Sequence, residues 1–330
     1  MQPEILLALS ASSVRPLLAA KDPRCPDIYS LPQFVATDLQ LRGLNLPTDL
    51  LVGFGLPAID RLRDEADRAH CPVLLLTEET PIDFTDRGPG WLRSLDRLKR
   101  LGTAANRLGC PSIALRASGP ATDAAFEATA AGIKIALREV DRFELMLLLA
   151  PTEGLTFEAA KMTELIKKIG GFRIGSFPSF AHAHATGNLD KTLRTLAPYA
   201  SAISASIRGF EKDGVHDGFS LDECMDSIRR VGFVNTLTLE FVGRGEWGAT
   251  NQVALASNVP SSEPVAVEVG ATKSSSKKST AKTATKTAGK SAGKSAGKPA
   301  VDVIAELETA RRILSASIVE PELAFDEEEE

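Results

Sequence analysis

Short apolar runs recur along the chain, each followed by a stretch whose apolar residues fall three and four apart. That alternation predicts parallel strands separated by amphipathic helices. Eight runs are countable: Ile5–Ser10, Leu39–Leu46, Pro72–Thr77, Ser112–Arg116, Leu145–Ala150, Phe172–Phe177, Ala202–Ile207 and Thr236–Phe241. Between them, LPAIDRLRDEADRAH, WLRSLDRLKRLGTAANRLG, FEAAKMTELIKKIG and SLDECMDSIRRVG read as helices. Thr156 with Gly170, and Ser220 with Gly232, are the expected caps of two of them. An open dinucleotide-binding sheet would carry a G-x-G-x-x-G turn after its first strand, and ALSASSVRP has none. Eight strand–helix units therefore predict a closed (β/α)₈ barrel, an α/β fold.

After Val242 the alternation stops. Residues 252–300 are rich in Lys, Ala, Ser and Gly, with an AGKS repeat, and bury too little apolar surface to offset chain entropy. Periodicity returns in VDVIAELETARRILSASI, where Val303, Ile304, Leu307, Ala310, Ile313 and Leu314 share a stripe expected to dock as the last barrel helix. The organisation expected is a barrel built from 1–251 together with 301–318, a disordered low-complexity insertion at 252–300, and an acidic tail at 319–330.

Composition refines this. The formal net charge of −5 divides unevenly, since residues 271–300 carry eight lysines and no acid, which leaves −13 on the rest. The insertion is expected to act as a spacer with weak, salt-sensitive attraction to polyanions. No run is long and apolar enough to predict a membrane span, so a cytoplasmic protein is expected. Cys25, Cys71, Cys110 and Cys224 lie too far apart for a zinc or disulfide pattern and read as buried thiols.

Several segments carry a resemblance. RLGCPSIALRASG, GSFPSFAH, LAPYASAISASIRGFEKDG and RRVGFVNTLTLEFVGRGE resemble passages of the sugar phosphate isomerase/epimerase family, whose barrels are xylose-isomerase-like. The resemblance implies a sugar-like substrate at the C-terminal mouth and a divalent metal (Mn, Mg, Co or Zn), held by Glu, Asp, His and Glu from strands five to eight. At those positions this chain has Ala150, Ser179, Ala202 and Ser204, with Ser206 in place of the family lysine. Only the last glutamate is kept, as Glu240. The standard metal site is therefore expected to be absent, and the metal ligands to be missing or relocated.

The candidate residues follow. Glu240 is expected to act as acid/base, with Arg208 holding the substrate, or else to sit in a structural ion pair with Arg208 or Arg116. His182 and His184, read as an extended H-x-H pair with both rings on one side, are candidate metal ligands with Glu153 and Glu240; solvent-facing loop histidines are the alternative. Arg116, Lys212, Arg244 and Lys191 are candidate anion contacts, or solvated charges. Trp247 is a candidate stacking surface for a sugar ring. A non-catalytic ligand- or protein-binding barrel, tethered to anionic partners by its lysine-rich loop, remains the rival function.

Overall fold

A computed structural model of the chain describes residues 5–244 and 302–318. The insertion 252–300, the tail 319–330 and Trp247 lie outside the described residues. Eight strands form the sheet: β1 (Leu6–Ser10), β2 (Leu44–Pro47), β3 (Val73–Asp83), β4 (Ser112–Ser118), β5 (Met146–Ala150), β6 (Ile174–Ser176), β7 (Ala202–Ile207) and β8 (Thr236–Phe241). Around them run α1 (Arg15–Ala20), α2 (Leu31–Thr37), α3 (Leu56–Arg68), α4 (Pro89–Leu108), α5 (Asp123–Val140), α6 (Ala159–Ile169), α7 (Phe180–Ala185), α8 (Leu189–Leu196), α9 (Leu221–Arg229) and α10 (Val303–Ile318).

All strand pairs are parallel, in the order β6-β5-β4-β3-β2-β1-β8-β7. Between β6 and β7 the ring closes through the bridges Ser176 to Ala200 and Ser179 to Ser204, with the Ser204 amide donating to the Pro178 carbonyl at 2.9 Å. Gly175 permits this closure, since a Cβ there would lie 2.5 Å from the Tyr199 carbonyl oxygen.

Alternation along each strand sorts side chains between two compartments. Leu75, Ala114, Leu148 and Ala202, with Phe177 and Met146 against them, form a small cluster of their own inside the ring. The larger core lies between strands and helices and takes the opposite faces, for example Ile203, Ala205 and Ile207 of β7. On that strand the inward positions are Ala202, Ser204 and Ser206, so its inner face is small and hydroxylated. Ile304, Leu307, Ala310 and Leu314 of α10 are buried, and this helix packs on α9 and β8 as its stripe predicts. The four cysteines are buried and free, and among the described residues no helix is long and apolar enough to cross a membrane.

Three local expectations need correction. The second strand begins at Leu44 rather than Leu39, because Gln40 sits at φ 53° and breaks the extended run. The third runs on to Asp83, six residues past the apolar stretch. Thr156 does not cap α6, which starts at Ala159 after Glu158. Its hydroxyl instead accepts from the Thr152 amide within the preceding loop. Ser220 does cap α9, accepting from the Glu223 amide at 3.2 Å.

Candidate functional site

At the C-terminal ends of the strands, Glu240 of β8 stands beside three hydroxyl donors. Ser12 and Ser10 donate to its Oε1 at 3.0 and 3.5 Å, and Ser204 of β7 donates to its Oε2 at 2.7 Å. Ser12 belongs to the short 3₁₀ turn Ala11–Val14 that follows β1. That turn is pinned to β8 by the Phe241 amide, which donates to the Ser13 hydroxyl at 2.8 Å. Hydrogen bonds from hydroxyls to a carboxylate are stronger than neutral ones.

A second carboxylate faces the same space. On β3, Glu78 and Glu79 point to opposite sides of the sheet. Glu78 is buried and turns outward, where Arg97 of α4 and the Thr48 hydroxyl donate to its Oε2. Glu79 turns toward the mouth. Burial raises its pKa, and the charge of Glu240 raises it further, against the opposing pull of Arg116 and Arg15. The two carboxylates are therefore unlike, one cradled by donors and the other desolvated.

Two guanidinium groups supply the positive charge. Arg116 of β4 lines the pocket and donates to the Pro151 carbonyl at 3.2 Å. Arg15 opens α1 and forks onto Asp49 with contacts of 2.5 and 2.8 Å, which raises the arginine's pKa. Burial pushes the Asp49 carboxyl up, but the bonds from Arg15 more than offset it and leave it below its usual range. Glu79, Glu240, Arg116, Ser10, Thr77 and Phe177 surround a small pocket of about 30 Å³ at the floor of the mouth. That floor holds one water or one hydroxyl group.

Of the residues singled out from sequence, Glu240 and Arg116 meet at this pocket. Arg208 does not join them as a partner. Its guanidinium donates to the Arg244 carbonyl at 3.2 Å and lies against Gly218. Among the described residues Glu240 forms no ion pair with Arg208 or Arg116. Arg244 is paired with Glu211 and Asp217 at 3.2 and 3.3 Å, while Lys212, Lys191 and Glu153 are exposed.

The extended H-x-H reading is overturned, because residues 180–185 form α7. Positions two apart on a helix diverge, and the two rings go to different places. His182 is buried, with its Nε2–H donating to the Phe157 carbonyl at 2.7 Å. Burial lowers its pKa to about 4. His184 is exposed, with its ring 5.4 Å from that of Phe219.

The residues present do not fit the divalent metal that such barrels imply. β5 ends on Ala150, β7 begins with Ala202 in the inner cluster, and the hydroxyl of Ser204 is donated to Glu240. Ser179 uses its oxygen to cap α7, accepting from the His182 amide. Among the described residues no three His, Cys, Asp or Glu side chains group as a cation would require. Sequence reasoning missed Glu79, Arg15 and the serines at 10 and 12. The one available signal was Glu78-Glu79 continuing an apolar strand, where an acidic pair is unusual.

No family model and no curated protein matches the sequence. Solved structures do match in shape. An L-ribulose 3-epimerase superposes with a TM-score of 0.65 at 13% identity, over 95% of this chain and 94% of the other. A xylose isomerase domain protein from Planctomyces limnophilus gives 0.54 at 14%, over 78% and 95%. A 3-keto-D-glucoside 4-epimerase from E. coli gives 0.58 at 13%, over 77% and 100%. With its eight parallel strands, closed ring and matching shape, the chain has the (β/α)₈ barrel fold of the xylose-isomerase-like sugar epimerases and isomerases.

Proposed function

We propose that this barrel binds a small sugar-like polyol at its C-terminal mouth without a metal ion, and that Glu240 and Glu79 are its acid/base pair. The observation that carries the reading is their arrangement around one pocket with Arg116. Sugar hydroxyls both donate and accept, so paired carboxylates and a guanidinium suit them. The hydroxyl-sized floor takes one group of the ligand, and the rest lies across the rim.

The chemistry follows from the placement of the carboxylates. Glu240, already accepting from serine hydroxyls, is the group placed to take a proton, and Glu79 faces it across the pocket to return one. Two carboxyl groups on one pocket can take a proton from one carbon and return one to the same or a neighbouring carbon. The names of the structural neighbours, an L-ribulose 3-epimerase and a 3-keto-D-glucoside 4-epimerase, suggest keto sugars as the first compounds to try.

Calorimetric titration of L-ribulose, D-fructose and D-tagatose into the parent chain and its Glu240→Gln and Glu79→Gln variants tests binding. Saturable binding weakened about tenfold or more in both variants is expected, equivalent to about 1.4 kcal/mol. NMR of the bound sugars in deuterated water tests turnover. Deuterium entering a carbon-bound position in the parent and in neither variant supports proton transfer. Binding without exchange assigns a non-catalytic receptor, a reading favoured by the narrow floor. Absence of binding to all three sugars overturns the proposal.

A further inference from the structure

A second concavity lies outside the barrel, between the turn after β2, α3 and α4. It encloses about 580 Å³, within the range of small-molecule sites and well above the mouth's floor. Phe54, Leu56 and Leu101 give it apolar walls, and Val52 and Leu56 remain 74% and 44% exposed there. Exposed apolar side chains gathered around one hollow are a feature that an isolated surface leucine is not. Two cations, Arg97 and Arg100, stand on the α4 wall.

Arg97 distinguishes this groove from a crevice between helices. Its Nε donates to the buried Glu78 carboxylate and its Nη2 to the Thr48 hydroxyl at 3.4 Å. A guanidinium has five N–H donors. The remaining ones have no partner among the described residues, and the side chain is 42% exposed. Arg97 is thus oriented by a buried anion while its free edge faces solvent. Arg100 is 73% exposed, in a same-helix pair with Asp96 that holds little energy at such a surface.

We infer that this groove binds a small amphipathic carboxylate, a medium-chain acyl or aryl acid, with its tail on Phe54, Leu56 and Leu101 and its carboxylate on Arg97 and Arg100. Charge selects the class: two cations on one wall and an otherwise apolar lining match an anionic head on an apolar body. A planar carboxylate also suits the fork of a pre-oriented arginine. The site is separate from the mouth, since the two pockets have no lining residue in common.

The probe is octanoate, titrated into the full chain by calorimetry and followed by saturation-transfer NMR, with 1-octanol as the uncharged control. One-to-one octanoate binding at least about tenfold tighter than octanol is expected. Val52→Asp and Arg100→Glu change exposed side chains, leave the fold intact by circular dichroism, and are expected to weaken octanoate about tenfold each. Glu240→Gln, at the mouth, is expected to leave it unchanged. Non-saturable binding, equal affinity for octanol, indifference to Val52→Asp and Arg100→Glu, or loss in Glu240→Gln would each overturn the assignment.

Discussion

The two sides of the mouth pocket are chemically unlike. Strands β1 to β4 and their turns bring Ser10, Ser12, Arg15, Asp49, Glu79 and Arg116 to or beside it, whereas β5 to β7 bring Ala150, Phe177 and Ser204. Only Glu240 on β8 carries charge from the second half into the pocket. The family resemblance places its metal ligands on strands five to eight, the half that here is apolar and hydroxylated. In this chain the charged residues of the pocket lie mostly on the other side, with Arg116 on its wall and Arg15 close to Glu79 and Glu240. The same scaffold can thus hold a polar mouth by redistributing charge around the ring, since every strand end reaches the same space.

The largest expected effect sharpens this contrast from the apolar half. His182 is fully buried, and its value of about 4 lies below the 6.5 of the free side chain. Protons therefore bind the unfolded chain more readily. The contribution of neutral His182 is intact above about 6.5, is lost as pH falls toward 4, and levels below that. The shift corresponds to about 3 kcal/mol. Urea denaturation at pH 7 and pH 4.5 is expected to show most of this loss, and His182→Leu is expected to flatten the slope. An unchanged slope would break the account.

Next comes the charged half. Arg97→Leu leaves the Glu78 carboxylate buried with only the Thr48 hydroxyl and the Thr80 amide. Losing a partner from a fully buried pair costs several kcal/mol, and the exposure of Arg97 reduces that to about 2 kcal/mol. A fall in the denaturation midpoint at neutral pH checks it, and Arg97→Lys is expected to recover part. The smallest effect separates the two mouth carboxylates. Glu79 is raised, so its ionisation weakens the fold as pH climbs through the carboxylate range toward the folded value. Glu79→Gln is expected to gain stability at pH 7 relative to the parent and nothing at pH 4, as read from urea midpoints. Glu240→Gln is expected to lose about 1 kcal/mol at pH 7, because the Ser12 and Ser204 hydroxyls face a weaker acceptor. Both variants moving in the same direction would erase the distinction between them.

The amino-acid sequence by itself determined the ring of strands and helices. Period-two and period-3.6 patterns report which face of each element must be buried, and eight repeats of one unit leave few ways to bury them all. β7 and β8 occupy the very spans read from sequence, Ala202–Ile207 and Thr236–Phe241, and α10 buries its expected stripe. That Ala150, Ser179, Ala202 and Ser204 carry no carboxylate or imidazole was equally legible, because identity at a position is a property of the string. Which charges meet was not. Glu79, Arg15 and Arg116 come from segments up to about a hundred residues apart, and whether Glu78 or Glu79 enters the mouth turns on the phase of a strand within a closed ring. Arg208 follows β7 and Glu240 lies on the adjacent β8, yet the Arg208 guanidinium donates instead to the carbonyl of Arg244, just after β8. His182 and His184 parted because the tertiary structure wound their segment into a helix that buries Phe180, something a two-residue spacing cannot report. Local burial patterns are carried by each segment alone, whereas a site is a set of distances between segments, and only the closed barrel sets those.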